Sequence, residues 1–306
     1  MSASLATAPS SGAPARRSVW SFRPGRLPVA PTLMALALLL AAGVVVAVGQ
    51  GAYPIPAVEV LRILATALGF DAGVIDPQQQ AVLESIRLPR VVLGLLTGAG
   101  LATAGALMQG IFRNPLADPS LIGVASGGAL AAAFVIVLGA AWLPGVARLL
   151  GVWTLPLAAF GGALAVTALV YRIGAAQGAL SLPLVLLAGI AVNALAMAGV
   201  GLLSYLASDE QLRNITFWSF GSLASATWPM LAAVAPLTLL ALAGGLALAR
   251  PLNALALGET QAGHLGVDVR SIKRASIVVT ALAVGALVAA TGVIGFVGLV
   301  APHAVR

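Results

Sequence analysis

The chain has 306 residues, 60% of them hydrophobic and only 8% charged, with a net charge of +7 and no cysteine. A soluble globular domain carries roughly 25% charged residues, so this composition excludes a water-facing fold, and the lack of cysteine excludes disulfides, thiolate metal sites and cysteine nucleophiles. The basic residues stand in ones and twos around apolar stretches rather than massed on a polar face, which argues against a nucleic-acid partner.

Apolar stretches long enough to cross a bilayer recur along the chain, and about 20 residues per crossing leaves room for about eight spans with short loops. The fold class expected is therefore an all-α polytopic membrane protein. Residues 1–30, rich in Ser, Ala and Pro and carrying Arg16, Arg17, Arg23 and Arg26, predict a disordered basic cytoplasmic tail ahead of an uncleaved first span. Residues 31–306 form one transmembrane domain. Spans are expected at 31–48, 91–112, 120–138, 149–171, 182–206, 228–249 and 275–290, with a short eighth at 293–305 after a break at Thr291 and Gly292. Asp118 as cap and Pro119 at the first helical position open the third span.

With the tail inside, eleven of the sixteen basic residues fall on the cytoplasmic side and five outside, the bias that sets orientation in bacterial membranes. In the second span Gly94, Gly98, Ala102, Ala106 and Gly110 recur every fourth residue, a stripe that lets another helix backbone approach closely. The spans hold no Asp, Glu, Lys or Arg at mid-depth, which disfavours a secondary carrier. The two histidines, His264 and His303, lie in different regions, which disfavours an intramembrane hydrolase.

The loops carry more. Ile86-Arg87-Leu88-Pro89-Arg90 sets two guanidinium groups three residues apart outside the second span; they suit carboxylates on a soluble partner, or they anchor a helix end at the interface. Ser208 and Gln211 have the spacing of a capping box and begin a short outer helix with Asp209 and Arg213 at i and i+4. Phe217, Trp218 and Phe220 then fit either an aromatic lid over a pore mouth or a plain interfacial helix. The inner loop from Arg250 to Arg274 predicts two short helical pieces hinged at Gly258 and closed at Gly266, which suits either docking to a cytoplasmic partner or an ordinary structured loop.

Three strings in these places, RLPR at 87–90, MQGIFRNPLADP at 108–119 and LALGETQAGHLGV at 255–267, resemble the iron-siderophore, heme and cobalamin (FecCD-type) permease family of ATP-binding-cassette importers. The closing GFVGLVAPHAVR is similar as well, and with the span order the resemblance covers nearly all of the chain after residue 30. It implies the type II importer permease fold, with ten transmembrane helices in the family against about eight here, so that a chain stopping at Arg306 is expected to be shortened at its carboxyl end. It further implies a homodimer in the bacterial inner membrane, a cytoplasmic ATPase dimer and a periplasmic substrate-binding protein. By motif, Arg87 and Arg90 match the outward arginines that meet the binding protein. Leu252, Asn253, Leu257, Gly258, Glu259, Leu265 and Gly266 match the ATPase coupling element, and Asn114 and Leu116 match a cytoplasmic gate of the path. The stretch from Asp209 to Leu223 looks more like the heme branch, with Arg213 and Trp218 as candidate substrate contacts. Ferric siderophore or cobalamin import, or an inactive shortened permease, are the alternatives. No cofactor or metal is expected on this chain: heme or a ferric chelate is cargo, and ATP with Mg belongs to the partner, since no phosphate loop of the G-x-x-x-x-G-K-S/T type occurs.

Overall fold

In lipid an apolar run must close its backbone hydrogen bonds within itself, so long apolar segments become helices. The structure, a computed structural model, describes residues 29–305 apart from 68, 71, 72, 74, 177 and 179, so residues 1–28 of the expected tail lie outside the described residues. The chain falls into two units, Met1–Val46 and Ala47–Arg306, and the packing below belongs to the second.

Seven helices among the described residues are long and apolar enough to cross a membrane. They are α1 (Val29–Gly49), a continuous rod from Pro77 to Phe112, α5 (Val124–Trp142), α7 (Thr154–Gly174, preceded by a short α6, Pro144–Leu150), α8 (Leu182–Leu206), α10 (Trp228–Ala256) and α12 (Val269–Thr291). The rod comprises α3 (Pro77–Val82), one wide π turn (Leu83–Arg87) and α4 (Leu88–Phe112). Four shorter helices complete the set with α6: α2 (Ala57–Ala67), α9 (Asp209–Phe220), α11 (Glu259–His264) and α13 (Val297–Val305). α4 sits at the centre against α10, α12 and α13, while α5 packs between α7 and α8.

Several expectations are corrected. The eighth span is the nine-residue α13, about 13 Å long at 1.5 Å per residue and too short to cross. The second helix starts not at residue 91 but at Pro77, where Asp76 caps it by accepting from the Gln78 amide at 2.9 Å. Asp118 does cap, accepting from the Ser120 amide at 2.8 Å, but only a single 3-10 turn (Pro119–Ile122); α5 begins after Gly123, whose φ of 82° breaks the helix. The sixth span runs on through Pro251 to Ala256, so the first half of the inner loop is an extension of α10.

The four-residue stripe on α4 is not where backbones meet most closely. A methyl group at Gly98 would touch nothing within 4 Å, whereas one at Gly105 would lie 1.7 Å from the Gly298 carbonyl oxygen. A helix this rich in Gly and Ala offers several small faces, and which is crossed depends on α13, a partner that the helix's own periodicity does not contain.

Candidate translocation cavity and its two ends

At the Arg90 end of α4, Pro89 has no amide hydrogen and its ring crowds the carbonyl four residues back. The wide turn relieves this: the Leu88 amide bonds to the Leu83 carbonyl five residues back, as in a π bulge. Glu84 O is thereby released from the ladder, and it accepts the indole hydrogen of Trp228 at 2.9 Å, fixing the start of α10.

The same turn rotates Arg87 inward. Its side chain is buried and donates to the carbonyls of Val48 at 2.6 Å, Gly49 at 2.9 Å and Tyr53. Val48 and Gly49 end α1, where carbonyls lack intrahelical partners and carry the negative end of the dipole, so a cation satisfies both needs. Gly51 leaves the room, since a Cβ there would sit 2.8 Å from Arg87 Nη2. The expectation that both arginines face outward is thus corrected for Arg87, whose donors are spent on the chain itself. Arg90 is exposed and, among the described residues, has no ion pair.

At mid-depth the backbone leaves the helix twice. Leu116, Asp118 and Pro119 of the first break and residues 293–296 of the second line a cavity of about 370 Å³ with Leu101, near the middle of α4, and Val284 and Val288 of α12. Irregular backbone at this depth is tolerated only where it is buried or lines a cavity. The first stretch is held by side chains. Asn114 Oδ1 accepts from the Leu116 amide at 2.9 Å, and Asn193 of α8 donates to the Ser120 carbonyl at 3.1 Å while accepting from the Ser126 hydroxyl. Asn114 is therefore the turn-former, and Leu116, 68% exposed, is the side chain that faces the cavity, with Phe296 on the second stretch. Below it, a larger cavity of about 850 Å³ opens between α4 and α10 toward Arg113. Gln109 lines it, almost fully buried, with Nε2 donating to the Leu299 carbonyl at 3.1 Å and Oε1 without a partner among the described residues.

At the Arg113 end the inner loop is a compact block. α10 ends at Ala256, Gly258 turns the chain with φ 120°, and α11 returns, anchored by fully buried Ala262. Glu259 holds Lys273 of α12 through both carboxylate oxygens at 2.7 and 2.8 Å. Asp268 then caps α12. The Ser271 hydroxyl donating to it, with the Ser271 and Arg270 amides, holds its carboxyl below the usual carboxylate range. Leu252 packs inward on Gly110, whereas Asn253, Glu259 and Gly266 are exposed, and Leu257 and Leu265 are 67% and 65% exposed. Two exposed leucines on a polar block form an apolar contact surface.

The helix α9 is as expected at its start: Ser208 accepts from the Gln211 amide at 3.3 Å and donates its own amide to Gln211 Oε1 at 2.9 Å. The Asp209–Arg213 pair does not form among the described residues, and Arg213 stays exposed. Trp218 is half-buried and packed in the core beside α5, so Phe217 and Phe220, 69% and 76% exposed, are the free aromatics. The break between α12 and α13 meets α9 closely, with a Cβ on Gly292 falling 2.2 Å from the Trp218 carbonyl oxygen.

The model of the FecCD transport family matches residues 38–306. The chain belongs to the FecCD transport family. It is 45% identical over 222 residues to a hemin transport system permease protein of Yersinia pestis, matching 72% of this chain and 65% of that protein. It is 38% identical to a cobalamin import system permease protein of Halobacterium salinarum, over 85% of this chain and 67% of that one. A molybdate import system permease protein of Haemophilus influenzae is 37% identical over 90% of this chain and 78% of the relative. The chain thus spans about two thirds of the length of the first two. A solved structure, described as an inward-facing conformation of an ABC transporter assigned to the metal-chelate type, superposes with a TM-score of 0.74 at 33% identity, covering 90% of this chain and 80% of that one. The fold is accordingly that of a type II ABC importer permease in a multi-pass inner-membrane protein.

Within this FecCD chain the residues that sequence reasoning missed are Gln109, Asn193, Trp228 and Lys273. Gln109 was signalled, as the one amide in the apolar 25-residue α4. Trp228 was not, because its acceptor exists only once the π turn has freed a carbonyl.

Proposed function

We propose that this chain is the transmembrane subunit of an ATP-binding-cassette importer that moves an iron chelate, heme first among them, from periplasm to cytoplasm. The observation that carries the reading is the mid-depth cavity lined at two breaks in the helices, by Leu116, Asp118 and Pro119 and by residues 293–296, between an end presenting Arg90 and an end presenting Leu257 and Leu265. Spanning proteins build paths at breaks of this kind, where backbone groups and half-helix ends face the cargo.

In this reading Arg90 meets a carboxylate on a periplasmic binding protein, and the block from Leu252 to Gly266 seats on a cytoplasmic ATPase that binds ATP and Mg. Two copies of the chain enclose the path. The Arg113 end is cytoplasmic, which places the amino terminus inside and follows the bias of basic residues. Leu116 and Phe296 form the apolar constriction. Arg213 meets a heme propionate at the mouth, and Phe217 and Phe220 take the place given to Trp218 by motif. Heme is favoured by the 45% identity to the Yersinia hemin permease; the cobalamin and molybdate relatives at 38% and 37% support a different chelate as the second reading.

The test is ATP-dependent uptake into proteoliposomes by the whole protein with its ATPase and binding protein. Heme, a ferric siderophore, cobalamin and molybdate are offered separately. Heme alone accumulating supports the assignment; accumulation of another cargo without heme overturns it.

A further inference from the structure

α7 and α12 are antiparallel neighbours, and on the flank away from α4 they leave a groove of about 440 Å³. Its walls are Leu164, Ala168, Ile277, Val278, Ala281 and Leu282, almost wholly apolar. At one end stand Arg172, in the last turn of α7, and Arg274, near the start of α12, with half-buried Tyr171 beside them. No carboxylate lines the groove, and among the described residues neither arginine has an ion pair or a side-chain hydrogen bond. Each guanidinium is exposed. Of the acidic groups of the inner block, Glu259 is committed to Lys273, and Asp268 accepts from the Ser271 hydroxyl and the Arg270 amide.

The dimensions fit one leaflet. From Arg172 back to Leu164, and from Arg274 on to Leu282, the helices rise about 12 Å, against a hydrocarbon half-thickness of about 15 Å. A ligand filling this groove needs an anionic head that accepts from two guanidinium groups and an apolar tail reaching toward the membrane centre. Basic pockets between transmembrane helices bind phospholipid headgroups in this way, and guanidinium pairs well with phosphate oxygens.

We infer that the α7–α12 groove is a binding site for an anionic phospholipid, its phosphodiester held by Arg172 and Arg274 and an acyl chain laid between Leu164 and Leu282. The site shares no lining residue with the cavity of the path, which Val284 and Val288 line further along α12. The lipid joins α7 to the helix that carries the ion pair to α11.

The test is native mass spectrometry of the full chain in detergent, titrated with dioleoyl phosphatidylglycerol and, separately, dioleoyl phosphatidylcholine. The expected result is selective binding of the glycerol lipid. With each arginine near the surface contributing about 1 kcal/mol, R172A/R274A weakens it about 30-fold. A168W, which fills the exposed apolar wall while leaving both arginines, abolishes the same binding; R172K/R274K retains most of it, and R148A leaves it unchanged. Equal binding of the two lipids overturns the inference, as does wild-type affinity in A168W and in whichever arginine variant folds. Displacement of the lipid by excess inorganic phosphate would show that the arginines read a free anion, and overturns it too.

Discussion

Replacing Arg87 by Ala is expected to loosen the outer loop, not to strip a docking contact. The substitution removes a buried guanidinium that serves the carbonyls of Val48, Gly49 and Tyr53. A buried acceptor left without a partner costs about 1–3 kcal/mol; with the Val48 and Tyr53 carbonyls orphaned and the Gly49 carbonyl keeping the Ile55 amide, the local loss is about 3 kcal/mol. That is about a hundredfold in the population of the opened loop. The natural chain has no cysteine, so a single cysteine at position 55 reports this opening cleanly. Ile55 is 3% exposed in the same loop, and its amide bonds to the Gly49 carbonyl. Maleimide labelling of I55C is expected to run about 100-fold faster in R87A than with Arg87 intact, while R90A leaves the rate unchanged. Binding-protein affinity should show the opposite order, falling most in R90A. Equal labelling rates with and without Arg87, together with a loss of docking in R87A as large as in R90A, would refute the capping role.

Gly105→Ala should disrupt the α4–α13 contact, because its methyl meets a backbone carbonyl that cannot rotate away; a cost of about 3 kcal/mol or more would appear as a lower aggregation temperature, whereas Gly98→Ala, facing open space, should match wild type. Breaking the Glu259–Lys273 pair with E259Q leaves a mostly buried ammonium and should cost about 1–2 kcal/mol, discounted because the carboxylate is 42% exposed; E259Q/K273M should recover part of it in a double-mutant cycle. The lowered carboxyl of Asp268 stabilises the start of α12 above its unfolded value near 3.9, and that contribution is lost as pH falls through the lower folded value. D268A should therefore melt below wild type at neutral pH, with the gap closing in acid below about pH 4. A cysteine at exposed position 253 should be labelled only from the cytoplasmic side in sealed vesicles, and labelling from outside would reverse the orientation.

Much of the architecture was legible because lipid leaves the chain few choices. Runs of apolar residues gave the rods, Asp118 and Ser208 marked helix starts, and Gly258 and Gly292 marked turns that only a glycine makes easily, whereas the caps Asp76 and Asp268 stand among ordinary loop residues. The hinge at Gly258 also carried the inner block, although the pairing of Glu259 with Lys273, fourteen residues on, has no signature in the spacing. What the sequence could not convey were contacts between distant stretches. Arg87 reads as an outward cation until the π turn rotates it, and the shift of one backbone bond reverses its direction. The cavity takes its walls from 115–119 and 292–296, and no local pattern brings those two segments together. Gly105 matters and Gly98 does not because α13 returns past one face of α4, a choice made by the packing of a third element.

These placements also say how the two ends communicate. Among the described spanning helices α12 is the most buried, with 72% of its apolar window inside the protein. One end is clamped to α11 by Lys273, and the other stops at Thr291, where Gly292 turns the chain against the Trp218 carbonyl and the Thr291 carbonyl accepts from the Ser222 amide at 2.6 Å. The block around Glu259 and residues 292–296 are therefore joined by a single buried helix, and close-packed helices transmit shifts instead of absorbing them. Those residues form one wall of the mid-depth cavity. α4 is held differently, pinned at its Arg90 end by the π turn and the Trp228 bond and backed along its length by α10. The other wall hangs on different elements, since Asn114 holds the Leu116 amide and Asn193 of α8 holds the Ser120 carbonyl.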